Sequence, residues 1–389
     1  QPAGDRNAVG RVDDRGHTDV TEVAPSSGNG SVEFVPEPGL GRGLRLGGSA
    51  NSILMAVLPV VAAVICGGVL LALLGRDPVS FYSNVVGHGL LGSLGRQESL
   101  IRMAPLLLIA AGLMIAFPAG IWNLGTDGQF VVAGVVVAAL GPELAPNTND
   151  LVLFTILFVV GFAVGAAWSI IPAVMKAWFG MNEIITTLMT IFLGLSFASL
   201  LVKEFFDDPS TTVPQTKVLA VEDRLPRMFG SRVHIGLVVG LVAVLAVHYM
   251  MTRTSFGLRL RIVGMNPAAA EHAGMNMRSL TLSIFLLSSG FAGLAAAVEI
   301  AGVDGMVRAE WNPAFGFAVV PLVFLARFHG PSVILFVGAF AMFSIGGESA
   351  SRKADLPNFF VLVMVALMLI FLAISEFLQA RSRKAVTHE

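Results

Sequence analysis

The sequence has few charged residues. They make up 13% of its 389 positions, whereas roughly 25% is usual for soluble proteins. Hydrophobic residues account for 55%. We therefore expect lipid, rather than water, to cover much of the protein surface. The formal net charge of −1 gives no overall field that would attract nucleic acid.

Cysteine is almost absent as well. Cys66 is the single one, so a disulfide within the chain and a four-cysteine zinc site are excluded. Histidines and carboxylates nowhere cluster at the spacing of metal ligands. The phosphate-binding pattern G-x-x-x-x-G-K-[ST] is missing too, so we expect no metal, no cofactor and no ATPase activity in this chain.

The two ends of the chain differ from its middle. Residues 1–48 are rich in Gly, Asp, Arg, Ser and Pro and show no secretory signal peptide. This composition cannot bury enough apolar surface to offset ordering entropy, so we predict a flexible cytoplasmic tail. Residues 381–389 are predicted to form a short basic cytoplasmic tail.

Residues 49–380 contain the long apolar runs. A membrane-spanning helix needs about 20 mostly apolar residues, and a helix satisfies its own backbone groups in lipid. Two longer runs are interrupted, 101–141 at residues 118–120 and 315–347 at residues 327–331. We predict an all-α polytopic membrane protein with about ten transmembrane helices, some broken or re-entrant. The clear spans lie near 52–74, 150–171, 184–204, 233–251, 279–302 and 357–378.

Charge alone does not orient these spans. With both termini inside, basic residues are divided evenly between inner and outer loops, and Arg102 falls among the outer ones. The longest hydrophilic loop, 205–232, contains three prolines that oppose regular helix. We predict that it is extracytoplasmic, either as a solvated connector or in contact with a soluble partner.

A first candidate site follows the break at residues 118–120. Asn123, Asp127 and Gln129 begin an otherwise apolar run. Polar side chains at membrane depth usually face a polar interior, and positions 123 and 127 would share one face of a helix. These side chains are predicted to line a solute path or to form the hinge beside it. Alternatively, they only cap one helix end.

A second candidate is the pair Asn182 and Glu183, between two spans. Asn182 is well placed to cap the following helix, and Glu183 would be favourable in its first turn. Capping explains both residues adequately from the sequence alone.

The third candidate, residues 253–276, is the most informative. Asn266 followed by Pro267 is typical of a helix start, and Gly274 suits a helix end. The pattern predicts a short helix outside the bilayer, preceded by basic residues. It could dock in a groove of another protein, or its arginines could contact anionic lipid.

Together these segments resemble a known family. The sequences NLGTDGQ at 123–129, GMNEIITTLM at 180–189 and TSFGLRLRIVGMNP at 254–267 occur in the family's order, with a looser match, SGFAGLAAAVE, at 289–299. They are similar to inner-membrane permeases of ATP-binding-cassette (ABC) importers for ribose-type sugars, branched-chain amino acids and nucleosides, above all the simple-sugar and nucleoside branch. The usual form has Ile, Ala and Glu where this chain has Leu124, Thr126 and Asp127.

The resemblance implies a function and a set of partners. Two permease chains, alike or different, would enclose one path through a bacterial plasma (inner) membrane. A separate ABC ATPase subunit would bind ATP and Mg, and an extracytoplasmic solute-binding protein would deliver a nucleoside or simple sugar. Residues 252–278 would be the cytoplasmic coupling segment, and Asn182 and Glu183 would support a gate or a second ATPase contact. The coupling residues implied are Gly257, Arg259, Arg261, Gly264, Asn266, Pro267, Ala269, Ala270, Glu271 and Gly274.

One alternative comes from a different class of protein. An ion-coupled secondary transporter of a small polar solute would need a titrating carboxylate, and Asp127 or Glu299 could serve. A membrane scaffold whose basic loop recruits a partner is a further alternative, and it predicts no solute flux.

Overall fold

The computed structural model describes residues 50–228, 230–357 and eight positions between 360 and 374. The predicted tails, 1–48 and 381–389, lie outside the described residues. Helices dominate the described part, which contains isolated bridges at Gln215–Arg308 and Arg227–His234 but no longer strand. The α-helices are α1 Ala50–Leu73, α2 Pro78–Val86, α3 Ser93–Ala116, α4 Thr126–Leu144, α5 Asp150–Trp168, α6 Ile170–Phe179, α7 Glu183–Glu204, α8 Gly236–Arg253, α9 Ser255–Met265, α10 Pro267–His272, α11 Met277–Glu299, α12 Phe315–Leu325 and α13 Gly330–Lys353.

Seven helical stretches among the described residues are long and apolar enough to cross a membrane. The protein is therefore an all-helical, multi-pass membrane protein. The predicted number of about ten spans is not confirmed, and the predicted span 357–378 falls largely outside the described residues. The seven stretches are Ser93–Ala119, Thr126–Asn147, Asp150–Phe179, Glu183–Glu204, Gly236–Arg253, Met277–Asp304 and Gly330–Lys353.

Both predicted interruptions are present in the structure. The first is longer than expected, because a 3₁₀ turn at Phe117–Ala119 leads to Gly120 at φ 74° and the next helix begins only at Thr126. The second separates α12 from α13, with Arg327 and Phe328 both at positive φ. At 11 residues, α12 is roughly 16 Å long and cannot cross a hydrocarbon core of about 30 Å. It is a half-helix.

Helices α3 and α11 form the centre of the bundle. Their apolar windows are 83% and 78% buried, more than those of the other spans. Small residues near position 290 allow α11 to pack closely against its neighbours. A Cβ atom at Gly293 would lie 2.0 Å from the carbonyl oxygen of Gly161, so the backbones of α11 and α5 are in direct contact.

We expect Gly293→Ala to lower stability in detergent, because the added methyl group meets backbone that cannot rotate away. Overpacking of this kind costs about 1–3 kcal/mol. Gly338→Ala in α13 is the matched control, since a Cβ there would only make ordinary contact with Met103, at 3.5 Å. Thermal midpoints of the two variants give the comparison. Equal midpoints would contradict direct backbone contact between α5 and α11.

The loop 205–232, predicted either as a solvated connector or as a contact for a soluble partner, packs on the bundle as a cover. Its backbone bonds to the end of α11 and to the chain that follows, with Leu225 N donating to Ala301 O and Thr216 N donating to Val307 O. Leu219 and Leu225 are buried. His234 is buried at the base of this cover, where its Nδ1 accepts a hydrogen bond from Gly236 N.

Burial lowers the pKa of His234 to about 4, because a charged imidazole would lose its hydration there. In the unfolded chain the pKa is about 6.5. Between these two values the unfolded chain binds a proton that the folded chain does not, so stability falls as pH falls through this window.

We therefore expect the thermal midpoint of His234→Gln to depend less steeply on pH than that of the wild type between pH about 6.5 and about 4. His272→Gln, which changes an exposed histidine of α10, should leave the wild-type slope unchanged. If the His234 variant keeps the same slope, the imidazole is not held neutral by folding.

Candidate functional site

The break between α3 and α4 contains a closed polar network. The side-chain amides of Asn123 and Gln129 bond to each other in both directions, with Gln129 Nε2 donating to Asn123 Oδ1 at 3.0 Å. Asn123 Nδ2 also lies 3.1 Å from Ser288 Oγ and 3.2 Å from Ser289 Oγ of α11. None of these side chains is exposed by more than about one per cent. The network therefore ties the break to the central helix.

The expectation that Asn123 and Asp127 share one helix face is wrong. Asn123 precedes α4, which begins at Thr126, so the two residues do not belong to one helix. The reason is local: the polypeptide leaves the helical path at Gly120 and continues without regular structure to residue 125. Asn123 turns towards α11, whereas Asp127 turns towards α12.

Asp127 caps the half-helix α12. Its Oδ1 accepts from Gly316 N at 2.6 Å and its Oδ2 accepts from Phe317 N at 3.3 Å. The first N–H groups of a helix have no partner within the helix, so a carboxylate placed there satisfies them and is attracted to the helix dipole. The side chain is buried, and its contacts hold the N-terminus of α12 against the first turn of α4.

This cap lies well inside the bundle. Gly128, one residue after Asp127, packs against Thr190 and Ile191, about two turns into α7. From there α12 runs towards the break after α3, where Phe324 stacks on Phe117 with ring centroids 4.7 Å apart. The structure thus brings Asp127, Asn123 and Gln129 to one region. Each is engaged in contacts between helices.

A second polar group, which the sequence analysis missed, joins α3 to α13. Arg102 pairs with Glu348 through both of its terminal nitrogens and donates to Ser344 Oγ at 3.1 Å. Each side chain of the pair is 26% exposed. The assignment of Arg102 to an outer loop is wrong, because α3 begins at Ser93 and not near residue 101. The signal that could have found the pair is an Arg and a Glu bordering long apolar runs.

Two further carboxylates lie near Arg102. Glu299, near the end of α11, is buried, and its Oε2 has no hydrogen-bond partner among the described residues. Asp304 accepts from Trp311 Nε1 at 3.0 Å, and Trp311 stacks on Phe130. Arg102 is within electrostatic range of both carboxylates. Phe315, the first residue of α12, lies under its guanidinium with 5.9 Å to the ring centroid.

The segment 253–276 folds as two short helices. Thr254 caps α9, and Asn266 caps α10 by accepting from Ala269 N at 3.0 Å. The predicted helix start at Asn266 and its end near Gly274, which has φ 79°, are confirmed. The helical structure of α9 was missed. The predicted coupling residues with exposed side chains or surfaces are Arg259, Arg261, Asn266, Pro267, Ala269, Glu271 and Gly274, whereas Gly257 and Ala270 are buried and Gly264 is half-buried.

Gly264 joins this segment to the break after α3. A Cβ atom at Gly264 would lie 2.1 Å from the carbonyl oxygen of Pro118, so no larger residue fits without displacement of the backbone. Gly120 faces Gly264 from the other side of the contact. Gly264 of α9 is therefore in direct contact with the residues that lead to Asn123.

The structure places Asn182 and Glu183 at the start of α7. Asn182 Oδ1 accepts from Ile184 N at 2.9 Å, which confirms the predicted cap. Glu183 pairs with Lys176 of α6 at 2.8 Å. Both residues fix the turn between α6 and α7, and their predicted role in a gate or ATPase contact is not tested by these contacts.

Comparison with known proteins identifies a family and several relatives for this chain. Residues 96–372 match the family described as branched-chain amino acid transport system / permease component. The chain is 33% identical to the glucose ABC transporter permease protein TsgB13 of Haloferax volcanii, over 82% of this chain and 87% of the relative. It is 24% identical to the nucleoside ABC transporter permease protein NupB of Lactococcus lactis (86% and 94% covered), and 25% identical to the guanosine ABC transporter permease protein NupP of Bacillus subtilis (84% and 94%). No solved structure matches the chain.

The cap on α12 predicts a graded series of variants. Asp127→Ala removes both acceptor oxygens and leaves two buried N–H groups without them, which costs about 1–3 kcal/mol. Asp127→Asn keeps one acceptor, so we expect a smaller loss. Asp150→Ala, at an exposed acid in the first turn of α5, is the control. We expect the thermal midpoint to be highest for Asp150→Ala, lower for Asp127→Asn and lowest for Asp127→Ala. An Asp127→Ala midpoint equal to that of the control would contradict the cap.

Proposed function

We propose that this chain, which belongs to the branched-chain amino acid transport system permease family, forms the translocation path for a nucleoside or simple sugar. It is the permease subunit of an ABC importer and carries no ATPase of its own. The observation that carries the substrate class is the set of relatives, a glucose permease at 33% identity and two nucleoside permeases that cover 84% or more of this chain.

Other subunits of the complex supply ATP hydrolysis and solute delivery. Membership of an ABC transporter implies an ATPase partner and a solute-binding partner. In our proposal the ATPase binds ATP and Mg, and a second permease copy or homologue completes the path. The solute-binding protein docks on the extracytoplasmic side, where we place the cover 205–232.

Contacts at the two ends of α3 support the orientation that we propose. Gln97, near its beginning, accepts a hydrogen bond from Arg232 N of the cover, whereas Pro118, just beyond its end, contacts Gly264. The cover and the segment 252–278 thus lie at opposite ends of one spanning helix. We place the segment 252–278 and both termini in the cytoplasm of a bacterial inner membrane. The exposed residues of α9 and α10 then face the ATPase.

Transport in this proposal is alternating access. Closure of the ATPase pushes on α9 and α10, and the Gly264 contact passes the movement to the break at residues 117–125. Asn123, Asp127 and Gln129 then act as the hinge beside the path, because their side chains join helices rather than open to a cavity. Asn182 and Glu183 support the neighbouring cytoplasmic turn.

The experiment that tests this function is uptake into vesicles that contain this chain with its co-purifying ATPase and solute-binding protein. We expect labelled adenosine, guanosine, ribose or glucose to accumulate only when ATP is present on the ATPase side. An ATPase carrying a substituted phosphate-loop lysine is the matched control, since it leaves the permease unchanged.

A secondary transporter is the competing function, and the unpartnered carboxylate of Glu299 is the observation that favours it. Uptake that ignores ATP and follows a proton or sodium gradient would establish it. In that case Asp127→Asn or Glu299→Gln abolishes transport, whereas the ABC mechanism predicts partial loss at Asp127→Asn. A complex with no flux of any of the four solutes would favour the scaffold.

A further inference from the structure

The Arg102–Glu348 pair differs from an ordinary structural ion pair. It joins two spanning helices, with one partner near the start of α3 and the other near the end of α13. Charged side chains inside a membrane protein usually face the bundle interior or a water-filled path. With 26% of each side chain exposed, this pair is only partly enclosed by the described residues, so part of each charged group remains accessible.

Glu299 provides the second, independent observation. Its side chain is buried, with 8% of the residue exposed, yet Oε2 meets no donor among the residues that the structure describes. An unpaired buried carboxylate oxygen is costly, so such an atom normally has a donor in the working protein. Its charged neighbours are Arg102 and Asp304. Asp304, five residues beyond Glu299, bonds to Trp311. Trp311 packs through Phe130 and Phe315 to the guanidinium of Arg102. This end of α11 and the Arg102–Glu348 pair therefore lie in one region.

The charges of the group indicate the chemistry of its ligand. Arg102 is paired with Glu348, so its charge is already balanced. Glu299 Oε2 has no donor among the described residues, and Glu348 accepts from a side chain that is itself partly exposed. A neutral solute that donates hydrogen bonds from hydroxyl groups fits these acceptor oxygens, whereas an anionic solute would bring only further acceptors.

We propose that Arg102, Ser344, Glu348 and Glu299 form a solute-contact site for a neutral polyhydroxylated compound, such as a ribose or hexose ring. The carboxylates of Glu299 and Glu348 accept from its hydroxyl groups, and Arg102 donates to its oxygens. The site deepens the proposed function and rests on it. It lies beside the N-terminal residue of the half-helix α12, apart from the Asn123 network.

The test uses the complete complex in vesicles and measures KM for adenosine, ribose and glucose together with ATP hydrolysis. Loss of a hydrogen bond to a charged group corresponds to roughly a tenfold or larger weakening. We expect Glu299→Gln and Arg102→Gln to raise KM by about that factor, whereas Arg76→Gln should leave both KM and basal ATP hydrolysis unchanged. Arg76→Gln is the matched control, because Arg76 makes an exposed ion pair with Asp355.

The double variant Arg102→Glu, Glu348→Arg separates solute contact from a purely structural role. A reversed pair still joins α3 to α13 but presents its donors and acceptors in exchanged positions. We expect its KM to stay high while its thermal midpoint approaches that of the wild type. Wild-type KM in this variant would overturn the proposal, as would KM values of the single variants equal to that of Arg76→Gln.

A direct binding measurement keeps the site testable if import itself fails. Equilibrium dialysis of the purified permease–ATPase complex, without the solute-binding protein, with tritiated adenosine, ribose and glucose needs no ATP. Binding that is lost in Glu299→Gln and kept in Arg76→Gln supports the site. If ATP drives no uptake while this binding pattern holds, only the importer function is refuted and the site stands. A wild-type complex that binds none of the three probes overturns the site.

Discussion

The two hydrogen bonds between the carboxylate of Asp127 and the first N–H groups of α12 support the rest of the path-forming region. A helix that begins inside a membrane bundle exposes N–H groups where water is scarce, and leaving them unpaired costs several kcal/mol. Asp127 of α4 caps these N–H groups. The chain can therefore run without helical structure from residue 305 to 314 and begin the half-helix α12 inside the bundle. Phe315 and Trp311 are thereby held beside Arg102 and Asp304, respectively.

Helix α3 connects the places where the protein is expected to act. Near its beginning Gln97 holds the cover, one turn later Arg102 meets α13, and in its second half Gly112 lies against the backbone of α11 at Ser288. Just beyond its end, Pro118 contacts Gly264 of α9. With 83% of its apolar window buried and contacts at both ends, α3 joins the segment α9–α10 to the cover at the opposite end of the bundle.

The sequence predicted those features that depend on neighbouring residues. The caps at Asn182 and Asn266 and the breaks at 118–120 and 327–331 each follow from local chemistry, and the structure confirms them. Contacts between distant residues were not predictable in this way. Arg102 and Glu348 are 246 positions apart, and an arginine at the edge of an apolar run was interpreted as a loop residue. The break after α3 extends to residue 125, and Asn123 within it bonds to Ser288 of α11. The sequence does not reveal this distant contact, and it therefore predicts Asn123 on a helix.

The Asn123–Gln129 network and the Arg102–Glu348 pair are suited to different tasks, because they differ in how accessible their hydrogen-bonding groups are to a solute. Asn123 and Gln129 are completely enclosed and bond to each other and to α11, so a solute could reach them only by breaking contacts between helices. Arg102 and Glu348 are partly exposed, and Oε2 of Glu299 has no donor among the residues that the structure describes. A permease must release its solute, so contact of modest strength is sufficient. The partly exposed Arg102–Glu348 pair and the Oε2 atom of Glu299 can provide such contact. Substitutions in the first group should therefore change stability and hinge movement, whereas those in the second should change KM.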